Sequence, residues 1–168
     1  MRRAAGMARL WAPWRSRFVY QRGAPGCVFC RAVKSRDDKK HHVFRRSRHA
    51  FAILNLYPYI NGHVMVAPRR HVADVSRCSD DELLDLWHLV GDVRQQLQRV
   101  RKPHGFNLGA NIGRAAGAGI PGHMHVHLVP RWRGDTNFMT SVSGVRVISD
   151  SLDDLYRRLT AARRARRR

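Results

Sequence analysis

Acidic residues are scarce in this 168-residue chain: 12 Asp and Glu stand against 32 Lys and Arg, for a formal net charge of +20. Lysine is scarce as well, because 28 of the 32 cations are arginine. Clustered Arg attracts nucleotides, nucleic acid or anionic surfaces through long-range attraction and counterion release. Part of the excess is terminal, with seven arginines in residues 157–168. Like-charge runs at chain ends are usually solvated and frayed, so residues 163–168 read as a basic disordered tail, through which nucleic acid could be recruited.

Long apolar runs are missing. No stretch of about 18 apolar residues exists, so nothing in the sequence spans a membrane. The start, M-R-R-A-A-G-M-A-R-L-W-A-P-W-R, is basic and acid-free, like a transit peptide in charge, but its lack of an uninterrupted apolar segment excludes a secretory signal. Cysteine is sparse, at three residues, two of them in C-V-F-C at 27–30. That is too few to staple a chain of this size, and a reducing cytoplasm is the expected compartment. Internal repeats are absent, as are Walker and dinucleotide-binding fingerprints.

What is present reads as one globular domain, residues 1–162, with 43% hydrophobic composition. Residues 79–101 predict a long helix. Ser79 and Glu82 form a capping box, Leu83, Leu86, Val90, Val93, Leu97 and Val100 recur at helical spacing, and Pro103 follows the end. The apolar runs at 51–56 and 63–68, separated by Y-P-Y-I-N-G, predict two strands and a turn. A C-terminal amphipathic helix is expected from Ser151 to about Ala162, with Leu152, Leu155, Tyr156 and Leu159 on one face. Short-linked strands around one long helix predict an α+β fold with an antiparallel sheet.

The chemistry concentrates in G-H-M-H-V-H-L-V-P-R-W at 122–132. Side chains alternate along a strand, so His123, His125 and His127 share one face while Met124, Val126 and Leu128 point into an apolar side. Neighbouring imidazolium charges repel, so the row favours neutral rings, which act as nucleophiles, proton carriers or metal ligands. The preceding segment, residues 109–122, carries five glycines whose amides can approach a phosphate closely, although a flexible turn has the same composition. Cys27 and Cys30 alone could be two buried thiols, a redox pair without a thioredoxin pattern, or half of a zinc site. The remaining histidines, at 41, 42, 49, 63, 88 and 104, and Cys78, read as structural.

H-M-H-V-H-L-V matches the histidine-triad motif, and the chain resembles the histidine-triad nucleotide hydrolase and transferase superfamily over about residues 9–160. L-W-A-P-W-R, L-N-L-Y-P-Y-I-N-G-H-V-M-V-A-P, P-H-G-F-N-L-G and V-P-R-W-R-G-D-T-N-F resemble the bacterial branch that includes diadenosine tetraphosphate phosphorylases. The resemblance implies an antiparallel sheet of about five strands with one long helix and a C-terminal helix, commonly paired as a homodimer. It implies His125 as the nucleophile that forms an adenylyl-histidine, with His127 on a phosphate oxygen or the leaving group. It places Asn55 at the ribose and Asn111, Ala118, Gly119, Ile120, Pro121 and His127 at the phosphates. Some relatives have Gln or Ser where this chain has Ala118 and Gly119. Zinc-bearing members complete the cysteine pair with two histidines, which here are His71 and His123, so a structural zinc on Cys27, Cys30, His71 and His123 is expected, with no organic cofactor.

The activity implied is cleavage of diadenosine polyphosphates, with phosphate or water as acceptor. The alternatives are an adenosine phosphoramidate or adenylated nucleic acid as substrate, or a nucleotide-binding module without turnover.

Overall fold

The computed structural model describes residues 26–135 and 151–165. The motif at residues 10–15, the last three residues of the motif at 129–138 and residues 166–168 lie outside these. Element order among the described residues is α1 (Val28–Lys34), β1 (Val43–Arg46), β2 (Ala50–Leu54), β3 (Val64–Pro68), α2 (Asp80–Arg101), β4 (Gly105–Gly109), β5 (Val126–Arg131) and α3 (Leu152–Ala165), with a 3-10 turn at Val75–Arg77. The strands form one antiparallel sheet in the order β1-β2-β3-β5-β4.

Both faces of this sheet are covered, which explains why β2 reads as an unbroken apolar run. Ala50, Ala52 and Leu54 face α2 and α3, packing with Val64, Val66, Leu86, Val93, Leu97, Val126, Leu128, Leu155 and Leu159. Phe51 and Ile53 point the other way, toward Phe29 and Ala32 of α1. Period-two alternation therefore sorts one strand between two cores.

Helix α2 forms as its sequence dictates. Ser79 is the N-cap, its hydroxyl accepts from the Glu82 N–H at 3.3 Å, and Glu82 Oε2 accepts from the Ser79 N–H at 2.9 Å. Asp80, Asp81 and Glu82 complement the helix dipole at its start, and Lys102 closes it in a left-handed conformation before Pro103. The expected strands at 51–56 and 63–68 are Ala50–Leu54 and Val64–Pro68. The C-terminal helix continues to Ala165, beyond the expected end near Ala162, so residues 163–165 of the expected tail are helical. It buries Leu155 and Leu159. Among the described residues no helix is long and apolar enough to cross a membrane.

The β2–β3 connection is closed by Gly62, whose φ is +85° and whose Cα lies so close to Pro130 of β5 that an added Cβ would sit 2.9 Å from Pro130 Cγ. This turn places His63 at the foot of β3. Gly62→Ala is expected to destabilise the fold by about 1–3 kcal/mol, read as a lower midpoint in urea unfolding, because both the backbone conformation and the contact are unfavourable. An unchanged midpoint would contradict the close approach.

Candidate active site and metal centre

Four of the expected ligands come together from three separate segments. Cys27 and Cys30 stand at the first turn of α1, His71 follows β3, and His123 precedes β5. Cys27 Sγ is 3.3 Å and Cys30 Sγ 3.6 Å from His123 Nδ1; His71 Nδ1 is 3.2 Å from both Cys30 Sγ and His123 Nδ1. All four ligand atoms lie within 4.8 Å of one another. Tetrahedral zinc, with bonds of about 2.0–2.1 Å to nitrogen and 2.3 Å to sulfur, separates its ligand atoms by roughly 3.3–3.8 Å, so these residues fit the ion. His123 is prepared for it: its Nε2–H donates to the Pro68 carbonyl at 2.9 Å, leaving Nδ1 unprotonated. The segment carrying His71 is anchored one residue earlier, where Arg70 forks onto Glu82 at 2.8 and 2.7 Å. That bond, with the Ser79 amide, holds the Glu82 carboxyl at about 2, well below its ordinary value.

The histidine row runs into the sheet: His123 and His125 precede β5, and His127 lies within it. His123 is completely buried and His125 nearly so (4% exposed), while His127, on β5 opposite Met65 and Gly109, is half-buried. Met124, Val126 and Leu128 face the α2 core, as alternation requires. His125 Nδ1–H donates to the His123 carbonyl at 2.9 Å, so in the neutral ring Nε2 carries a free lone pair. Burial pushes the His125 pKa down, only partly offset by that hydrogen bond. His127, whose ring is 4.8 Å from that of His125, is lowered to about 4 by burial and then by the His125 charge.

His63 decides which nitrogen of His127 holds a proton. Its Nδ1 receives the Tyr59 backbone N–H at 3.1 Å and the Asn55 side-chain amide at 3.2 Å, so its own proton sits on Nε2. That Nε2–H donates to His127 Nδ1 at 2.9 Å, which leaves the His127 proton on Nε2. The row therefore presents a bare nitrogen on His125 next to a protonated one on His127, both in neutral rings. His63 is lowered to about 3, first by burial and then by His127 and His125. Asn55, expected at a ribose, braces His63 with its amide and accepts the Tyr57 N–H on Oδ1 at 3.0 Å.

The glycine loop supplies fewer amides than its composition suggests. Gly117 N–H bonds the Arg114 carbonyl and Ala118 N–H the Gly113 carbonyl, at 3.0 and 3.3 Å. Pro121 has no N–H, so of the expected segment 118–121 only the amides of Gly119 and Ile120 are left unbonded among the described residues. Ala118 thus uses its amide within the loop's own turn. Asn111, whose side-chain amide meets the Gly117 carbonyl at 3.5 Å, staples the loop.

Sequence reasoning passed over His63, because its partnership with His127 depends on the β3–β5 register, in which Met65 faces His127. The same group carries a pH consequence. His63 and His127 have folded pKa values of about 3 and about 4, below the ordinary 6.5. As pH falls below about 6.5 the unfolded chain takes up these protons and the folded chain does not, so stability is lost on acidification toward the folded values. For His63 the slope is about 1.4 kcal/mol per pH unit. Stability measured by urea unfolding is expected to drop between about pH 6.5 and 5, and less steeply in His63→Gln; a flat profile in that window would contradict the neutral network.

Comparison with known proteins agrees with this geometry. The HIT domain family model matches residues 36–134. The AP-4-A phosphorylase of Mycobacterium tuberculosis (strain ATCC 25618 / H37Rv) is 37% identical over 169 residues, covering 95% of this chain and 86% of that protein. The asymmetrical bis(5'-nucleosyl)-tetraphosphatase of Schizosaccharomyces pombe is 38% identical over 93 residues, 55% of this chain and 50% of that protein. Among solved structures, a hypothetical histidine triad nucleotide-binding protein from Sulfolobus tokodaii strain7 superposes with a TM-score of 0.67 at 27% identity, covering 84% of this chain and 95% of the other. A Zn-bound histidine triad family protein from Mycobacterium smegmatis gives a TM-score of 0.69 at 24% identity, covering 86% and 98%. With its buried histidine row, its five-stranded antiparallel sheet and these matches, the chain belongs to the HIT domain family.

Proposed function

We propose that this protein cleaves diadenosine polyphosphates, diadenosine tetraphosphate among them, through an adenylyl group carried on His125. The observation that carries the reading is the proton arrangement of the row: an unprotonated, buried Nε2 on His125 beside a protonated Nε2 on His127. The His125 nitrogen attacks the α-phosphorus, the bond from phosphorus to the bridging oxygen breaks, and the polyphosphate leaves as an anion whose oxygen accepts a hydrogen bond from His127 Nε2–H. The acceptor's oxygen then displaces His125 from phosphorus, His125 recovers its Nε2 lone pair, and any proton the acceptor sheds passes to solvent. With phosphate as acceptor the products of diadenosine tetraphosphate are ADP and ATP; with water they are AMP and ATP.

The free amides of Gly119 and Ile120 are the donors we assign to the phosphate oxygens, where charge builds during transfer. The similarity to the mycobacterial AP-4-A phosphorylase favours phosphate as acceptor. Incubation of the protein with diadenosine tetraphosphate is expected to yield ADP and ATP only when phosphate is added. His125→Ala is expected to lower turnover by at least about 10³-fold while nucleotide binding persists. Undiminished turnover in that variant would sink the mechanism.

We assign a structural zinc to Cys27, Cys30, His71 and His123. With four protein ligands no position is left for substrate, so the ion would fix the three segments around the row and take no part in the transfer. Elemental analysis of the purified protein is expected to give one zinc per chain, and Cys30→Ser to lose it together with thermal stability. Protein free of metal at unchanged stability would remove the assignment.

A further inference from the structure

Phe29 has no part in the chemistry above, yet it stands between the two cysteines and is fully buried (0% exposed). Its ring centroid lies 4.9 Å from that of His125 and 5.1 Å from that of His123, and it meets Phe51 edge-on at 6.1 Å. The His125 ring is therefore held on three sides: by Phe29, by His127 at 4.8 Å, and by the His123 carbonyl on its Nδ1–H. Of these, Phe29 is the one contact that comes from outside the row.

The helix that delivers it is weak alone. Helix α1 has 7 residues, no side-chain hydrogen bond at its N-cap Cys27 and no acidic residue in its first turn. So short a helix is unstable in isolation and needs tertiary anchors. Its C-terminal end is held by the Arg46 guanidinium, which donates to the Ala32, Val33 and Ser35 carbonyls, while its first turn is held by the apolar contacts of Phe29 and the two thiols seated against His71 and His123. The thiols flank Phe29 in sequence, so whatever fixes them fixes the aromatic ring between them.

We propose that Phe29 is a positioning residue for His125, and that the Cys27, Cys30, His71 and His123 cluster acts on the nucleophile through it. A metal ion on the four ligands pins α1, and α1 holds the Phe29 ring as a wall that keeps the imidazole from turning and water from reaching it. The proposal rests on the metal assignment above and deepens it. Loss of the ion would loosen the first turn of α1, which carries Phe29, and with it the wall against His125, while Arg46 keeps the helix's other end in place.

The acylation arm of the test needs no nucleotide, so its failure is distinguishable from failure of the proposed activity. His125 acylation by diethyl pyrocarbonate is timed by peptide mass spectrometry in the wild type, Phe29→Ala and Phe29→Leu, each zinc-loaded and after chelation, with exposed His88 as internal reference. Zinc removal is expected to speed acylation of His125 in the wild type by on the order of tenfold, the usual scale for outer-shell groups at metal sites. Phe29→Ala should do the same with zinc still bound, and both changes together should give no more than either alone, because they act through one contact. Phe29→Leu, which keeps most of the volume and guards against misfolding, should shift His125 in the same direction by less, and should lower kcat for diadenosine tetraphosphate with KM little changed. An unchanged His125 rate on chelation, effects that multiply, or Phe29 variants altered only in KM would overturn the proposal.

Discussion

His123 ties the molecule together by spending each of its polar groups on a different element. Its Nδ1 lies among the thiols of α1 and the His71 ring, its Nε2–H is held by the last residue of β3, and its backbone carbonyl takes the Nδ1 proton of His125. Each bond restricts the next. The Pro68 carbonyl sets the His123 tautomer, and the His123 carbonyl sets that of His125. A site that must present one bare and one protonated nitrogen in adjacent rings depends on this chain of fixed donors, since an imidazole left to itself exchanges tautomers freely.

Burial supplies the second half of the design. Three packed histidines could share a face with cations in water, but here desolvation is the largest influence on His63, His125 and His127 and lowers all three. The low-dielectric setting comes from the two-sided sheet: α2 and α3 cover one face, and α1 with Phe29 covers the other beside the row. The fold therefore keeps the rings neutral by the same packing that stabilises it. Acidification works against both at once, because the protons that the site refuses are taken up by the unfolded chain.

How much of this the sequence reveals varies by element. Helix α2 is legible to the residue because its capping box, periodic leucines and valines, and closing Pro103 are local signals. The row is legible because period two is a local rule. The metal cluster is not legible from spacing alone, since Cys27 and His123 are brought together across 96 positions, and it was reached through family resemblance. Helix α1 and strand β1 carry too few periodic residues to announce themselves, and α1 owes its form to tertiary anchors. The glycine loop misleads in the other direction: its composition suggests a run of free amides, whereas Gly117 and Ala118 spend theirs on the loop's own carbonyls. His63 and Phe29 look like ordinary core residues until strand register and helix packing set them against His127 and His125.

The central claim is that a covalent bond forms at His125 Nε2. The direct measurement is to mix the protein with diadenosine tetraphosphate in the absence of phosphate, quench within a turnover, and map the peptide spanning residues 122–131 by mass spectrometry under conditions that preserve phosphoramidates. An adenylyl group is expected on His125, and it should disappear when phosphate is added, with ADP released. Turnover proceeding with no adenylylated His125 peptide at any quench time, or with the adduct on a different residue, would contradict the claim.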